Sequence, residues 1–285
     1  MRFIKLILPV LLLVCLYGSE HGYSQNFQQS SNIPNFWDPN IRLPKPEGFK
    51  IERLRFLTTT DFPPFNFIDR NKLLNGFHID LARQICSELA ILQLCQIQAV
   101  PWDELDKAIE KGDGEAIITG LEMNYAQRKK YDFSMPFLHI PARFVALQSS
   151  ALSEPLATSL FKKKTALVKG SSHAQYFKAV FSNRQYIEYD SLALAKRAVV
   201  DKSVEVLFGD AVSLSFWLTS KSAANCCRFV GGPYLSNEYL GNGMTIAIAK
   251  NQPQLVEAIN YALRRINDNG TFRELYLRYF PVSLY

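Results

Sequence analysis

Two α/β lobes with mainly parallel sheets are the fold this sequence predicts, on three observations. Short apolar runs of strand type alternate with amphipathic runs of helical period, and the alternation occurs twice. Polar, glycine-bearing turns follow the strand-type runs, as in sheets whose connections are helices. The chain has 285 residues, 48% of them hydrophobic, which suffices for one large core or two smaller ones.

The first series opens with a strand expected over Leu54–Thr58. Asp61-Phe62-Pro63-Pro64-Phe65 must then turn, because two prolines are incompatible with a helix or a sheet interior. Gly76 precedes a helix in which Phe77, Leu81, Ile85 and Leu89 recur every four residues. A strand is expected near Ile97–Val100. Trp102, Leu105 and Ile109 mark the apolar face of the next helix, which makes Trp102 a core residue, and Gly112 and Gly114 close it. Ala116–Ile118 reads as a strand. The second series starts at Phe144–Leu147. It continues with strands at Ala166–Val168, Tyr186–Tyr189, Val204–Phe208 and Thr245–Ala249. Between them lie helices carrying Ala174, Phe177 and Phe181, then Leu192, Ala195 and Val199 behind a Ser191 cap, then Leu214 and Trp217 as core. Two helices close the chain. The first has Leu255, Ile259, Ala262, Leu263 and Ile266 on one stripe, and the second opens on Thr271 and Glu274 in capping-box spacing after Gly270.

Ahead of this body, Met1-Arg2-Phe3-Ile4-Lys5 and an apolar run from Leu6 to Tyr17 have the pattern of a secretory signal peptide over 1–24. The run is too short for a permanent membrane helix. Cleavage after Ser24 fits, with Gly18 as an alternative cut. Val14 is bulky where a lipoprotein signal before Cys15 wants a small residue. Residues 25–50 are polar, rich in Asn, Gln and Pro, and read as an irregular arm whose aromatic pair, Phe36 and Trp37, either docks on the body or stays free. The mature protein is expected to be soluble and exported, which makes disulfides available. Cys86 and Cys95 are close enough in sequence for a local bridge. Adjacent Cys226 and Cys227 either form a vicinal bridge or stay reduced and buried.

The net charge of +6 is mixed in sign, and the one basic run, Lys162-Lys163-Lys164, is short. No nucleic-acid partner is expected. His78 and Asp80 are two apart on a helix and share no face, and neither cysteine pair has CxxC spacing, so no metal is expected either. Nucleophile-elbow, P-loop and dinucleotide-binding patterns do not occur.

Ligands of such sheets bind at the carboxyl ends of strands. The turns at 59–65, 119–128, 170–173 and 209–210 are therefore the candidate site. The stretch from Thr119 to Phe137 is central. Freed backbone amides at the Thr119-Gly120 turn, with Arg128 nearby, make a place to hold a carboxylate. Phe62 either packs in the core or faces a ligand from its turn. Asp210 can cap the helix after it, bind a ligand, or do both.

DFPPF at 61–65, GFHIDLA at 76–82, PWDEL at 101–105, RKKYDFSMPF at 128–137, GSSHA at 170–174, VEVLFGD at 204–210 and NGTFRELYLRYF at 269–280 occur in one order and spacing. In these segments the chain resembles the periplasmic solute-binding proteins of amino-acid ABC importers, from about Leu54 to Pro281. That family includes histidine-, lysine/arginine/ornithine- and glutamine-binding proteins. The resemblance implies the type II periplasmic-binding-protein fold with two hinge crossings, lobe I holding 51–141 plus 250–285 and lobe II 142–249. It implies a monomer in the periplasm, without a cofactor, that hands a small polar amino acid or related compound to an ABC permease in the inner membrane. It places Phe62 on the ligand and Arg128 on its α-carboxylate, helped by Thr119, Gly120, Ser171 and Ser172. Asp210, which offers only acceptors, takes its ammonium group. It also supports pairing Cys86 with Cys95.

Three positions depart from the family pattern. Counting back from Asp132-Phe133-Ser134, the family arginine aligns with Gln127, and Arg128 stands one residue late. Thr59 occupies the place of an acidic residue. Glu122 stands where many members have a hydroxyl residue, and would either pair with the carboxylate-binding arginine or receive a positive group on the ligand. Two other functions share the fold by analogy. One is a cyclohexadienyl-type dehydratase, for which Glu122 is the one good general acid or base. The other is a ligand-sensing binding protein that serves a receptor.

Overall fold

The computed structural model describes Trp37 and residues 40–152 and 154–285. The expected signal peptide and most of the arm, Phe36 included, lie outside these residues. Trp37 is buried in the core of the first half.

Two five-stranded sheets share one plan. The first runs Cys95–Ala99, Leu54–Thr58, Ala116–Ile117, Ala247–Ala249, Tyr131–Phe133; the second runs Tyr186–Tyr189, Thr165–Val168, Val206–Asp210, Ala142–Leu147, Cys227–Tyr234. In each, the first three strands are parallel and the fourth is antiparallel to both of its neighbours. Four of the five strands in each sheet thus run the same way, mainly parallel as expected, and one is reversed. The antiparallel strands are the ones on which the chain arrives from the other sheet, so they enter from the opposite end. Sequence periodicity carries no direction, and it also missed the edge strand Cys227–Tyr234 and the small hairpin sheet of Asp61–Phe62, Asn66–Ile68 and Leu74–Asn75.

Side-chain alternation explains the cores. Along Ala142–Leu147, Ala142, Phe144 and Ala146 face one cluster and Val145 the other. Along the first sheet, Phe56 and Ala116 join the large cluster under the helices Phe77–Glu88, Pro253–Asp268 and Thr271–Tyr279, while Leu57 and Ile117 join a smaller one with Leu105. The stripe from Leu255 to Ile266 is buried as its period requires. The expected capping box at Thr271 is not formed. Gly270 precedes the helix at φ 85° without a side-chain cap, and Asn269 Oδ1 accepts from the Thr271 amide at 3.0 Å.

The chain passes between the sheets twice, through residues 134–141 and 235–246. The two crossings are tied to each other. Met244 N–H donates to the Leu138 carbonyl at 2.7 Å, Phe137 N–H to Met244 at 2.9 Å, and Ser134 N–H to Ile246 at 2.9 Å. Both cysteine pairs are bonded, Cys86 to Cys95 and Cys226 to its neighbour Cys227.

The helix Phe77–Glu88 begins without a side-chain cap. Its first amides are satisfied by the proline turn instead: Phe77 N–H donates to Pro64 O at 3.0 Å and His78 N–H to Phe65 O at 2.8 Å. This approach requires glycine at position 76, where φ is +133° and an added Cβ would lie 2.2 Å from the Phe65 oxygen. Gly76→Ala is expected to destabilise the protein by about 3 kcal/mol. A urea-unfolding midpoint unchanged from wild type would show that the turn and helix are not locked together in this way.

Candidate functional site

A ladder of buried polar groups lies at the strand ends of the first sheet. His78 is fully buried and its Nδ1 is 2.9 Å from Asn66 Oδ1. An amide oxygen only accepts, so Nδ1 carries the proton. Nε2 is then a buried acceptor without a partner. Burial pushes the His78 pKa down to about 3. The Asn66 amide nitrogen donates to Thr59 O at 3.1 Å and Thr59 Oγ1 at 2.8 Å, with Thr119 Oγ1 at 3.4 Å. The two threonine hydroxyls are 3.0 Å apart. One hydroxyl proton is shared between them, which leaves one for a further acceptor. Thr59 also lines an open cavity of about 540 Å³.

Phe62 stands above this ladder. Its ring stacks on Phe65 with centroids 4.8 Å apart and is 37% exposed. It also lies on Gly120, where a Cβ would be 2.9 Å from the Phe62 Cε1 and φ is +77°. Phe62, Thr119 and Gly120 are therefore brought together, and Gly120 contributes the room for the ring.

At the strand ends of the second sheet, Ser171 and Asp210 both cap helices. Ser171 Oγ accepts from the Ala174 amide at 3.1 Å and donates to Val168 O at 2.8 Å, so its hydroxyl is occupied. Ser172 is exposed in the first turn of the same helix. Asp210 Oδ1 accepts from the Ser213 amide at 2.7 Å, and its other oxygen remains for a second partner. Asp210 pairs in register with Ala142, and the next amide, Ala211 N–H, donates to Pro141 O at 3.1 Å, so the carboxylate sits beside a crossing. His173 and Lys196 are its titratable neighbours. Burial lowers the pKa of both, and the Asp210 charge opposes that shift.

The structure does not bring Arg128 to this group. It lies on the short helix Tyr125–Lys130, capped by Asn124, and its guanidinium contacts Met123 Sδ at 3.1 Å. It lines a cavity of about 610 Å³ with Asp132, Lys250 and Glu257, none of which is an expected site residue. Glu122 is exposed, with its Oε2 3.5 Å from the Asn124 amide nitrogen. Gln127 instead turns inward. Its Oε1 is buried without a partner, and it lines a cavity of about 170 Å³ whose wall includes Trp102 and Asp103.

Trp102 corrects an expectation. It lies in a single 3-10 turn, Trp102–Glu104, ahead of the helix proper, and is 54% exposed rather than packed in the core. It lines the cavity that Thr59 and Asp61 share. Asn66 and His78 were not legible as site residues, since nothing in their spacing shows that a hairpin brings Asn66 under the strand ends. Trp102 fits the helical stripe of Leu105 and Ile109 in its spacing, and its place directly after Pro101, ahead of the helix proper, was the available sign for its exposure.

The model of the bacterial extracellular solute-binding proteins, family 3, matches residues 54–282. The putative ABC transporter arginine-binding protein 2 of Escherichia coli (strain K12) is 28% identical over 231 residues, 80% of this chain and 91% of that one. The L-arginine-binding protein of Pseudomonas aeruginosa is 25% identical over 226 residues, 79% and 86% of the two chains. Among solved structures, the L-cystine solute receptor of Neisseria gonorrhoeae in its unliganded open conformation superposes with a TM-score of 0.69 at 19% identity, covering 81% of this chain and 94% of that one. The likeness to that structure is one of fold: a type II, two-lobed α/β architecture.

The buried His78 gives a pH signature. The unfolded chain protonates this ring below 6.5, the folded protein only near 3. Stability from this residue is therefore complete above pH 6.5 and falls by about 1.4 kcal/mol per unit as pH drops toward 3. His78→Asn should flatten the dependence of the urea midpoint on pH between 6.5 and 4 relative to wild type, since His139 and His173 titrate in both proteins. Equal slopes would mean that the imidazole is not held neutral.

Proposed function

Because the chain belongs to the bacterial extracellular solute-binding proteins of family 3, we propose that it captures a small polar amino acid or related compound between its two lobes. It acts as the periplasmic substrate-binding component of an ABC transporter and delivers that ligand to a permease in the inner membrane. The protein works as an exported monomer, with residues 1–24 as its signal peptide. The lobes are 51–141 plus 250–285 and 142–249, a division supported by the two sheets and the paired crossings between them.

The observation that carries this reading is the convergence of Phe62, Thr119 and Gly120 at the strand ends of one sheet, with Asp210 capping the strand-end helix of the other beside the hinge. Phe62 offers a half-open aromatic face. The threonine pair offers one hydroxyl donor, and Asp210 a free carboxylate oxygen for an ammonium group. Ser172 and Glu122 are both exposed, available for contact once the lobes approach. Ligand contacts from both lobes favour the closed form, which the permease recognises. Arg128 is left out of the site, since its guanidinium faces a different cavity. Relatives named for arginine binding support a binding protein rather than an enzyme.

Thermal unfolding of ligand-stripped protein against a panel of amino acids, polyamines and organic acids tests the reading. A true ligand at a hundred times its Kd adds about 2.7 kcal/mol. For that ligand, Phe62→Ala and Asp210→Asn should each weaken binding by at least about 2 kcal/mol, roughly thirtyfold, by calorimetry. Arg128→Ala should leave affinity within about twofold, a difference of about 0.4 kcal/mol. A large loss in the arginine variant, or none in the aspartate variant, would redraw the site.

A further inference from the structure

The two cavities at the end of the first sheet meet at Trp102 and Asp103, which line both. The charged groups that line them are all carboxylates, beside neutral hydroxyl, indole and amide groups. The larger one carries Asp61 and Asp103, and neither carboxylate is in an ion pair among the described residues. The smaller one carries Gln127, whose Oε1 is buried and unpartnered. A buried acceptor left unmade costs free energy until a donor reaches it. Asp106, in the same wall, is already matched by Lys130 and the Tyr131 hydroxyl. Trp102 presents a half-exposed indole in the same lining as both carboxylates, a surface that attracts cations. No lysine, arginine or histidine lines either cavity. The guanidinium of Arg128 faces away, toward Met123 and Asp132.

Building on the proposed function, we infer that this end of the site recognises its ligand by a positively charged, N–H-rich group, an amine or a guanidine, and that a carboxylate on the ligand is dispensable. Trp102 stacks on the cation, Asp61 and Asp103 compensate its charge, and Gln127 Oε1 takes one of its N–H groups. In the open protein both carboxylates are solvated. Closure removes water and strengthens each of these contacts. The one donor left to the threonine pair is a neutral hydroxyl. It accommodates an oxygen acceptor but does not supply the charge that a carboxylate gains from a guanidinium.

The test compares each cationic amino acid with its decarboxylated form. Arginine, agmatine, lysine and cadaverine are titrated calorimetrically into the full-length, ligand-stripped protein and into Asp103→Asn and Gln127→Leu variants. The expected result is that agmatine or cadaverine binds within threefold of its parent amino acid or more tightly. Asp103→Asn should weaken that binding at least tenfold, with the thermal unfolding of the unliganded Asp103→Asn variant unchanged. Tenfold or tighter binding of the amino acid over its decarboxylated form would overturn the inference and leave the proposed function standing. So would binding confined to neutral or acidic amino acids from the wider panel. Binding of none of these compounds would count against both.

Discussion

The start of the helix Phe77–Glu88 on the carbonyls of Pro64 and Phe65 is the constraint from which the candidate site follows. A helix leaves its first amides without internal partners. Here the proline turn supplies them, and Gly76 is the residue that lets the two backbones approach. The consequences are local and specific. The turn cannot rotate, so the Phe62 ring is held on Phe65 and over Gly120. The second residue of the helix is His78, so its imidazole is delivered beneath the turn and reaches Asn66. Asn66 in turn fixes Thr59 and Thr119, which come from the ends of two neighbouring parallel strands. The candidate surface is thereby assembled from three separate segments without a ligand, an arrangement that reduces the ordering cost of binding.

The second half of the molecule repeats the first sheet's plan, and the paired crossings set how the halves can move. Hydrogen bonds from Met244 to Leu138, from Phe137 to Met244 and from Ser134 to Ile246 join the two connections into one narrow ribbon. Arg143, buried just past the first crossing, adds a tie. Its guanidinium donates to Leu284 O at 2.9 Å and Gly231 O at 3.0 Å, joining the end of the chain to the edge strand of the second sheet. Rotation about such a ribbon carries Asp210, next to the crossing, through a small arc and the outer strand ends through a large one. Ligand contacts then select among orientations that the hinge already permits.

The sequence made the helices legible because their buried stripes have a period that few alternatives share. The stripes at Phe77–Leu89 and Leu255–Ile266 are buried as read. The one reversed strand in each sheet was not legible, because an apolar run looks the same from either end, and the reversal came from the crossings. The capping box at Thr271 failed because Gly270 took a left-handed conformation and Asn269 supplied the acceptor from outside the motif. In the site, Phe62, Thr119 and Gly120 were readable as strand-end residues. Arg128 carries the charge that a carboxylate needs, but on a six-residue helix one position turns a side chain by about 100°, and it is Gln127 whose side-chain oxygen is buried. Asn66 and His78 carried no sign of their role, since their meeting depends on a hairpin whose strands are two and three residues long.

Closure of two lobes on a bound ligand is the claim on which everything functional here rests. Small-angle X-ray scattering of the stripped protein, with and without a saturating amount of whichever compound stabilises it thermally, measures it directly. A fall in the radius of gyration, with the ligand-bound curve fitted by a closed arrangement of the same two lobes, is the predicted result. Identical scattering curves in the two states, at a ligand concentration shown by calorimetry to fill the site, would contradict it.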